Sequence, residues 1–330
     1  SNDAAYGRLF VAGSLVMRII STNITTIENS IGFNNFAEVW FNGNANQYAQ
    51  FSTITGNIDF NVAQTVPGFG VTLGSNATAY KLYLTQGDFN IAANTLTVNH
   101  TVTYPSPGTG TIGGSSASNL TLGFAGTTGT LNFANTKRIL KDFTQLASNT
   151  TTLGTELAIT AGPNPGRDSI GASATLITND NLILRSDADG TARIAQLPST
   201  AAITGKVTVV RFLPMNAIYD SRRWRLLTAP FKVTNSPTIN AAWQESVSNS
   251  NRLAPVNPRP GYGTQITKST TWAADGYDQG STNNPSIYYY SAGNWVAPAN
   301  TNTVKITDNS NCYMLFARGV RSTVITNQFV

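Results

Sequence analysis

KLYLTQGDFNIAANTLTVNHTVTYPSPGTGTIGGSSASNLTLGFAGTTGTLNF, residues 81–133, decides the fold. Short apolar–polar alternations such as Leu96-Thr97-Val98 and Leu120-Thr121-Leu122 are separated by Gly, Asn, Ser and Thr, with no helical period between them. Alternation puts one side of each strand in a core and the other in water. Pieces this short bury that side without helices when strands stack coil upon coil. From Phe60 to Asn135 the only formal charges are Lys81 and Asp88. Such text offers almost nothing for acid–base or metal chemistry and points to a scaffold.

The pattern continues outward. Leu82-Tyr83-Leu84, Leu131-Asn132-Phe133, Leu157-Ala158-Ile159, Leu176-Ile177 and Leu182-Ile183-Leu184 are further strands. Similar words precede three of them: Asn94-Thr95-Leu96, Ser118-Asn119-Leu120 and Asp180-Asn181-Leu182. Spacing is irregular, as in a degenerate solenoid whose turns vary in length. The expected fold is all-β: a parallel β-helix followed by an antiparallel, sandwich-like β domain. A hairpin sandwich throughout is the alternative, but Asn-Gly and Asp-Gly hairpin words are scarce between these strands. Leu96, Val98, Leu120, Leu122, Leu131, Phe133, Leu157, Ile159, Leu182 and Leu184 should point inward and stack in columns.

Composition agrees. Of 330 residues, 11% are charged and 41% hydrophobic, and Thr with Asn make about a quarter. Thr is β-branched and polar, and Asn tolerates the left-handed turn conformation, so both suit outward faces and corners. Lys and Arg are rare before Asn135, so the net charge of +5 belongs to the C-terminal half. It is too dilute for a nucleic-acid stripe. The single cysteine, Cys312, and single histidine, His100, leave no intrachain disulfide and no Cys- or His-based metal cluster. No apolar run is long enough to span a bilayer. The opening Ser1-Asn2-Asp3 fits a processed, exported chain.

Three parts are expected. Residues 1–66 read as an N-terminal β cap or assembly segment, residues 67–200 as the β-helix, and residues 201–330 as the antiparallel domain. In the first part Trp40, Phe41 and Tyr48 lie among asparagines and amides, which marks them as candidate carbohydrate contacts. The alternatives are aromatics that close a solenoid end or an exposed strand that self-associates. The third part holds Trp224, Trp243, Trp272 and Trp295, which read first as core and turn anchors.

Two passages resemble a known group. TLTVNHTV, GTGTIGGSSASNLTLGFAGTTGTLNF and TTTLGTELAIT look like the repetitive β-helical region of very large surface proteins of Bacteroidota. NLILRSDADGTARIAQL (181–197), ITGKVTVVRFLP, RRWRLLTAPF, INAAWQE, GYGTQIT, DGYD, NNPSIYYYSAGNWVAPANTNT and YMLFARGVRS resemble a module that often follows it. The resemblance implies an exported adhesin-like or matrix-forming protein of the outer surface, released by type IX secretion. The sorting domain usual at the end of such proteins is not seen at Asn327–Val330. The resemblance brings no catalytic residues.

Other candidates are sparse. Asp187 and Asp189, in DADG, resemble the start of a calcium loop, but no further oxygen ligands follow, and a plain turn is the simpler reading. Ser221-Arg222-Arg223-Trp224-Arg225 is the densest basic patch, although alternation would split its side chains between two faces. Asp168-Ser169-Ile170 fits a short bacterial O-glycosylation pattern at Ser169. Glycan-active β-helices need a carboxylate pair beside a sugar groove. Here Lys81, Asp88, Lys137, Arg138, Lys141, Asp142 and Glu156, and then Glu245, Asp275 and Asp278, are scattered. No enzyme activity and no cofactor are expected. A surface structural protein is the first reading, a carbohydrate-binding module the second, and a glycan-active enzyme or phage tail fibre the third. The partners expected are surface glycans and further copies joined through terminal strands at Arg8–Ile20 and Ser322–Val330.

Overall fold

A computed structural model describes residues 16–19, 31–32, 37–49, 51, 54–55, 58–123, 125–146, 148–213, 223–229, 236–244, 264–268, 271–279, 284–308, 312–317 and 328–329. The chain is nearly all β and divides into two compact units, Ser1–Val209 and Val210–Val330.

The first unit is a parallel β-solenoid of about seven turns. One face stacks Val16–Ile19, Ala37–Phe41, Ile58–Ala63, Leu82–Gln86 and Val102–Thr103. A second stacks Gln47–Ala49, Gly70–Leu73, Asp88–Asn90 and Thr111–Gly113. A third stacks Ala77–Ala79, Thr95–Val98, Asn119–Leu122, Asp142–Gln145, Arg167–Ile170 and Arg193–Ile194. In later coils the stacks Gly126–Leu131, Asn149–Leu153, Thr175–Ile177, Ala202–Thr204 and Ile139–Leu140, Leu157–Ile159, Leu182–Leu184, Val207–Val209 accompany the third face. Val207–Val209, expected from the sequence in the C-terminal part, therefore pairs inside the solenoid with Leu182–Leu184. The described strands Val16–Ile19, Ala37–Phe41 and Ile58–Ala63 are parallel and stack in register onto Leu82–Gln86, and Gln47–Ala49 stacks onto Gly70–Leu73, so they continue the solenoid and are not a separate cap.

All ten residues expected inside are buried. They stack as Leu96 on Leu120, Val98 on Leu122, Leu157 on Leu182 and Ile159 on Leu184. Corner side chains satisfy backbone groups between coils: the Asn94 amide donates to the Leu73 carbonyl (2.8 Å), and the Asn181 amide donates to that of Leu153 (3.2 Å). These are the Asn words that precede the strands. They leave few backbone groups unpaired where the chain turns. Thr97, Thr121 and Thr144 form an outward column on the third face. Gly87 adopts φ +97°, and a Cβ there would lie 2.6 Å from the Phe69 carbonyl oxygen.

The second unit has a four-stranded antiparallel sheet in the order Arg223–Thr228, Cys312–Ala317, Ile287–Ser291, Asn294–Val296. Its inner side packs Tyr313, Leu315 and Ile287 against Ile239, Trp243, Ile266, Tyr277 and Ile306. The short helix Ile239–Trp243 starts at Thr238, whose hydroxyl accepts from the Ala241 N–H (3.1 Å). Trp243 meets Tyr313 edge-on at 5.3 Å, and Trp272 packs beside this core. These two tryptophans are the anchors expected from the sequence; Trp224 and Trp295 are not.

The terminal strands pair within their own chain. Val16–Ile19 runs beside Ala37–Phe41, and Gln328–Phe329 runs antiparallel to Phe212–Leu213. The rest of Arg8–Ile20 and Ser322–Val330 lies outside the described residues. No helix among the described residues is long and apolar enough to cross a membrane.

Candidate functional site

Alternation along Arg223–Thr228 turns Trp224, Leu226 and Thr228 to one side and Arg225 and Leu227 to the other. Register then assembles rows on the outer side. Trp224 faces Phe316, and Leu226 faces Met314, which faces Tyr288. At the far edge Tyr290 faces Trp295 across a tight hairpin. Its loop residues Ala292 and Gly293 have φ of +47° and +84°, the twist that closes two-residue hairpins. Trp224 contacts Tyr288 (5.5 Å) and Phe316 (5.2 Å), and Tyr290 contacts Trp295 (5.3 Å).

Among the described residues nothing covers this face. Leu226 is 70% exposed, Tyr290 55%, and Trp224 and Trp295 each 43%. Tyr288, Met314 and Phe316 are half-buried between them, and Cys312 lies exposed at the start of its strand. None of these side chains carries a formal charge. With strands about 4.8 Å apart and about 3.3 Å per residue, the two edge tryptophans, three strands and four residues apart in register, stand roughly 20 Å from each other diagonally across the sheet. The result is a broad, neutral, aromatic surface with tyrosine hydroxyls among the rings. Such surfaces stack on the C–H faces of sugar rings and hydrogen-bond their hydroxyls.

The contacts suggested by the sequence fall elsewhere. Phe41 is a correction: it is buried, with Phe60 at 6.1 Å and Phe89 at 6.2 Å, so no ligand reaches it. Trp40, its outward neighbour, is half-buried and its indole N–H donates to Glu38 Oε2 (2.7 Å). Tyr48 belongs to another face, where its ring lies so close over Gly74 that a Cβ there would collide. The three do not form one platform.

Asp187 closes a turn: its Oδ1 accepts from the N–H groups of Asp189 (2.9 Å) and Gly190 (3.1 Å). Among the described residues no group of three Asp, Glu, His or Cys gathers there or anywhere else. Ser169 faces outward, half-buried in the column below Thr144, while Asp168 turns inward.

In the C-terminal unit, two of the carboxylates weighed for catalysis are occupied structurally. Asp275 accepts from Lys268 (2.8 Å) and Thr271 (2.6 Å), and these bonds, the lysine's first, hold its carboxyl below the usual range. Asp278 is buried and accepts from the Ile266 N–H (2.8 Å) and the Gln244 amide (3.3 Å). Glu245 lies outside the described residues. Searches of protein-family models, curated proteins and solved structures found nothing that matches the chain.

Proposed function

We propose that this chain is part of an exported, adhesin-like surface protein, and that the outer face of its C-terminal sheet binds neutral polysaccharide without turning it over. The observation that carries this reading is the uncharged aromatic surface running from Trp224 through Tyr288 and Phe316 to Tyr290 and Trp295. Folding does not require it, because the opposite side of the same sheet already holds the core. Exposing several large aromatic side chains on one face is uncommon without a ligand or partner. Binding rather than hydrolysis is favoured because the face bears no carboxylate pair. The solenoid is proposed as the rigid structural part. The resemblance to Bacteroidota surface proteins supports an extracellular location and type IX export.

Affinity electrophoresis through gels containing neutral glucans, xylan, mannan or soluble chitin derivatives tests this, alongside sedimentation with insoluble cellulose and chitin. The wild-type chain should be retarded or sedimented by at least one neutral polymer and release no reducing ends. The Trp224→Ala/Trp295→Ala double variant should lose at least tenfold in affinity, since stacking aromatics typically dominate such surfaces. Equal binding by the double variant, or binding to none of the polymers, defeats the proposal.

A further inference from the structure

On the third face of the solenoid one inward column reads Ala77, Leu96, Leu120, Phe143, Asp168, Ile194 from coil to coil. Five members are apolar, and Asp168 breaks the series. It is fully buried, and among the described residues no group donates a hydrogen bond to either of its carboxylate oxygens. A carboxylate in that position is strongly disfavoured when charged and far less so when protonated.

The described residues around it supply no counter-charge. Phe143 and Ile194 are its register neighbours on either side. Arg167 on its own strand, Asp142 on the preceding strand and Arg193 on the following one alternate to the outer side. Asn149–Leu153, Thr175–Ile177, Leu157–Ile159 and Leu182–Leu184, on the other sides of the same coils, contain no titratable residue. Lys141, Glu156 and Arg185 stand just beyond strand ends and are not buried. The nearby buried polar groups bond one another, Gln145 Oε1 excepted. Asn149 Oδ1 accepts from Gln145 (3.0 Å) and Thr151 (2.6 Å), and the Asn149 amide donates to the Thr128 hydroxyl. Burial alone therefore acts on Asp168 and pushes its carboxyl up to about 7.

We propose that Asp168 is a proton-operated latch: protonated, it completes the inward column, and ionised, it drives the coils from Asp142 to Ile194 to open locally. In the open form the acid regains an ordinary value near 3.8. The opening equilibrium should then rise about tenfold per pH unit between roughly pH 4 and 7 and level off above, on the order of a thousandfold in all. These coils are tight in acid and loosest at neutral and alkaline pH.

Hydrogen exchange followed by mass spectrometry on the full chain from pH 5 to 8, corrected for intrinsic exchange rates, tests the latch. Protection in Asp142–Gln145, Arg167–Ile170 and Arg193–Ile194 should fall steadily up to pH 7. Protection in Thr95–Val98 should stay level. Asp168→Asn, which cannot ionise, should abolish the dependence. Should that variant fail to fold, an infrared titration of the wild-type chain with isotope-labelled aspartate decides instead. A protonated-carboxyl band that disappears near pH 7 upholds the latch. A band already lost near pH 4, as for a carboxylate satisfied by buried water or a cation, overturns it. So does level protection, or a dependence that survives in Asp168→Asn.

Discussion

In both units strands alternate, but they do different things with the second side. Along the solenoid the outward partners of the buried leucines are mostly Thr, Ser and Asn, as in the column Thr97, Thr121, Thr144, Ser169. The C-terminal sheet buries Leu315, Ile287 and Tyr313 on one side and shows Trp224, Leu226, Tyr290 and Trp295 on the other. Hydrophobic burial needs one side of a sheet only. A second apolar side adds little to stability and exposes the protein to aggregation, so its presence points to binding. The Thr97–Ser169 column of the solenoid lacks that signature.

The sharpest way to break this comparison is to put the same charge on both kinds of apolar position. Leu122→Asp, inside the solenoid, should cost about 4 kcal/mol or more because its carboxylate is buried without a partner. Leu226→Asp, on the outer side of the C-terminal sheet, should stay within about 0.5 kcal/mol. Urea unfolding monitored by circular dichroism checks both. A comparable loss at Leu226 would mean that this side is covered.

Acidity should separate the units next. Asp168 has its folded value raised to about 7. Its stabilising effect is complete below its unfolded value near 3.8, declines as pH rises, and is gone above about 7, a fall of about 4 kcal/mol. Asp275 has its value lowered by Lys268 and Thr271, so its contribution is present at neutral pH and lost as pH falls below about 3.8. Mild acid should therefore strengthen the solenoid and leave the C-terminal unit unchanged until stronger acid weakens it. Thermal unfolding from pH 3 to 8, with near-ultraviolet signals reporting the tryptophan-rich C-terminal unit, measures this.

Glycine substitutions give a smaller contrast. Gly87→Ala meets both a positive φ and the Phe69 carbonyl, and should cost roughly 2–3 kcal/mol. Gly293→Ala keeps the positive φ but meets no atom within 4 Å, and should cost about 1 kcal/mol. Melting temperatures of the two variants give the order. Trp224→Ala/Trp295→Ala removes two rings that are each 43% exposed and should cost about 1–3 kcal/mol through the covered part alone, well below the loss at Leu122.

The solenoid was readable because its signal is periodic. Leu96-Thr97-Val98 and Leu120-Thr121-Leu122 declare their inward members by alternation, and stacking repeats the choice at every coil. Phase followed to the end places two further residues, of which Phe41 had been read otherwise. In Arg167-Asp168-Ser169-Ile170, an inward Ile170 makes Asp168 inward as well. In Glu38-Val39-Trp40-Phe41, Phe41 shares the buried side of Val39 while Trp40 faces out. For Phe41, an aromatic beside amides, chemical type outweighed position. The aromatic face of the C-terminal sheet was harder to see. In Trp224-Arg225-Leu226-Leu227 both phases carry apolar residues, so alternation cannot tell core from surface, and the pairing with Phe316 and Met314 is long-range. One local signal was there: Tyr290-Ser291-Ala292-Gly293-Asn294-Trp295 is a two-residue hairpin that must place its tyrosine beside its tryptophan.

Hydroxyl-radical footprinting with and without a saturating neutral polysaccharide tests the division of labour most directly. Trp224, Tyr288, Tyr290, Trp295, Met314 and Phe316 should all be protected together, while the outward solenoid aromatics Trp40, Tyr48 and Tyr83 keep their free reactivity. Protection at Trp40, Tyr48 and Tyr83 with the C-terminal face unchanged would place binding on the solenoid and contradict the assignment.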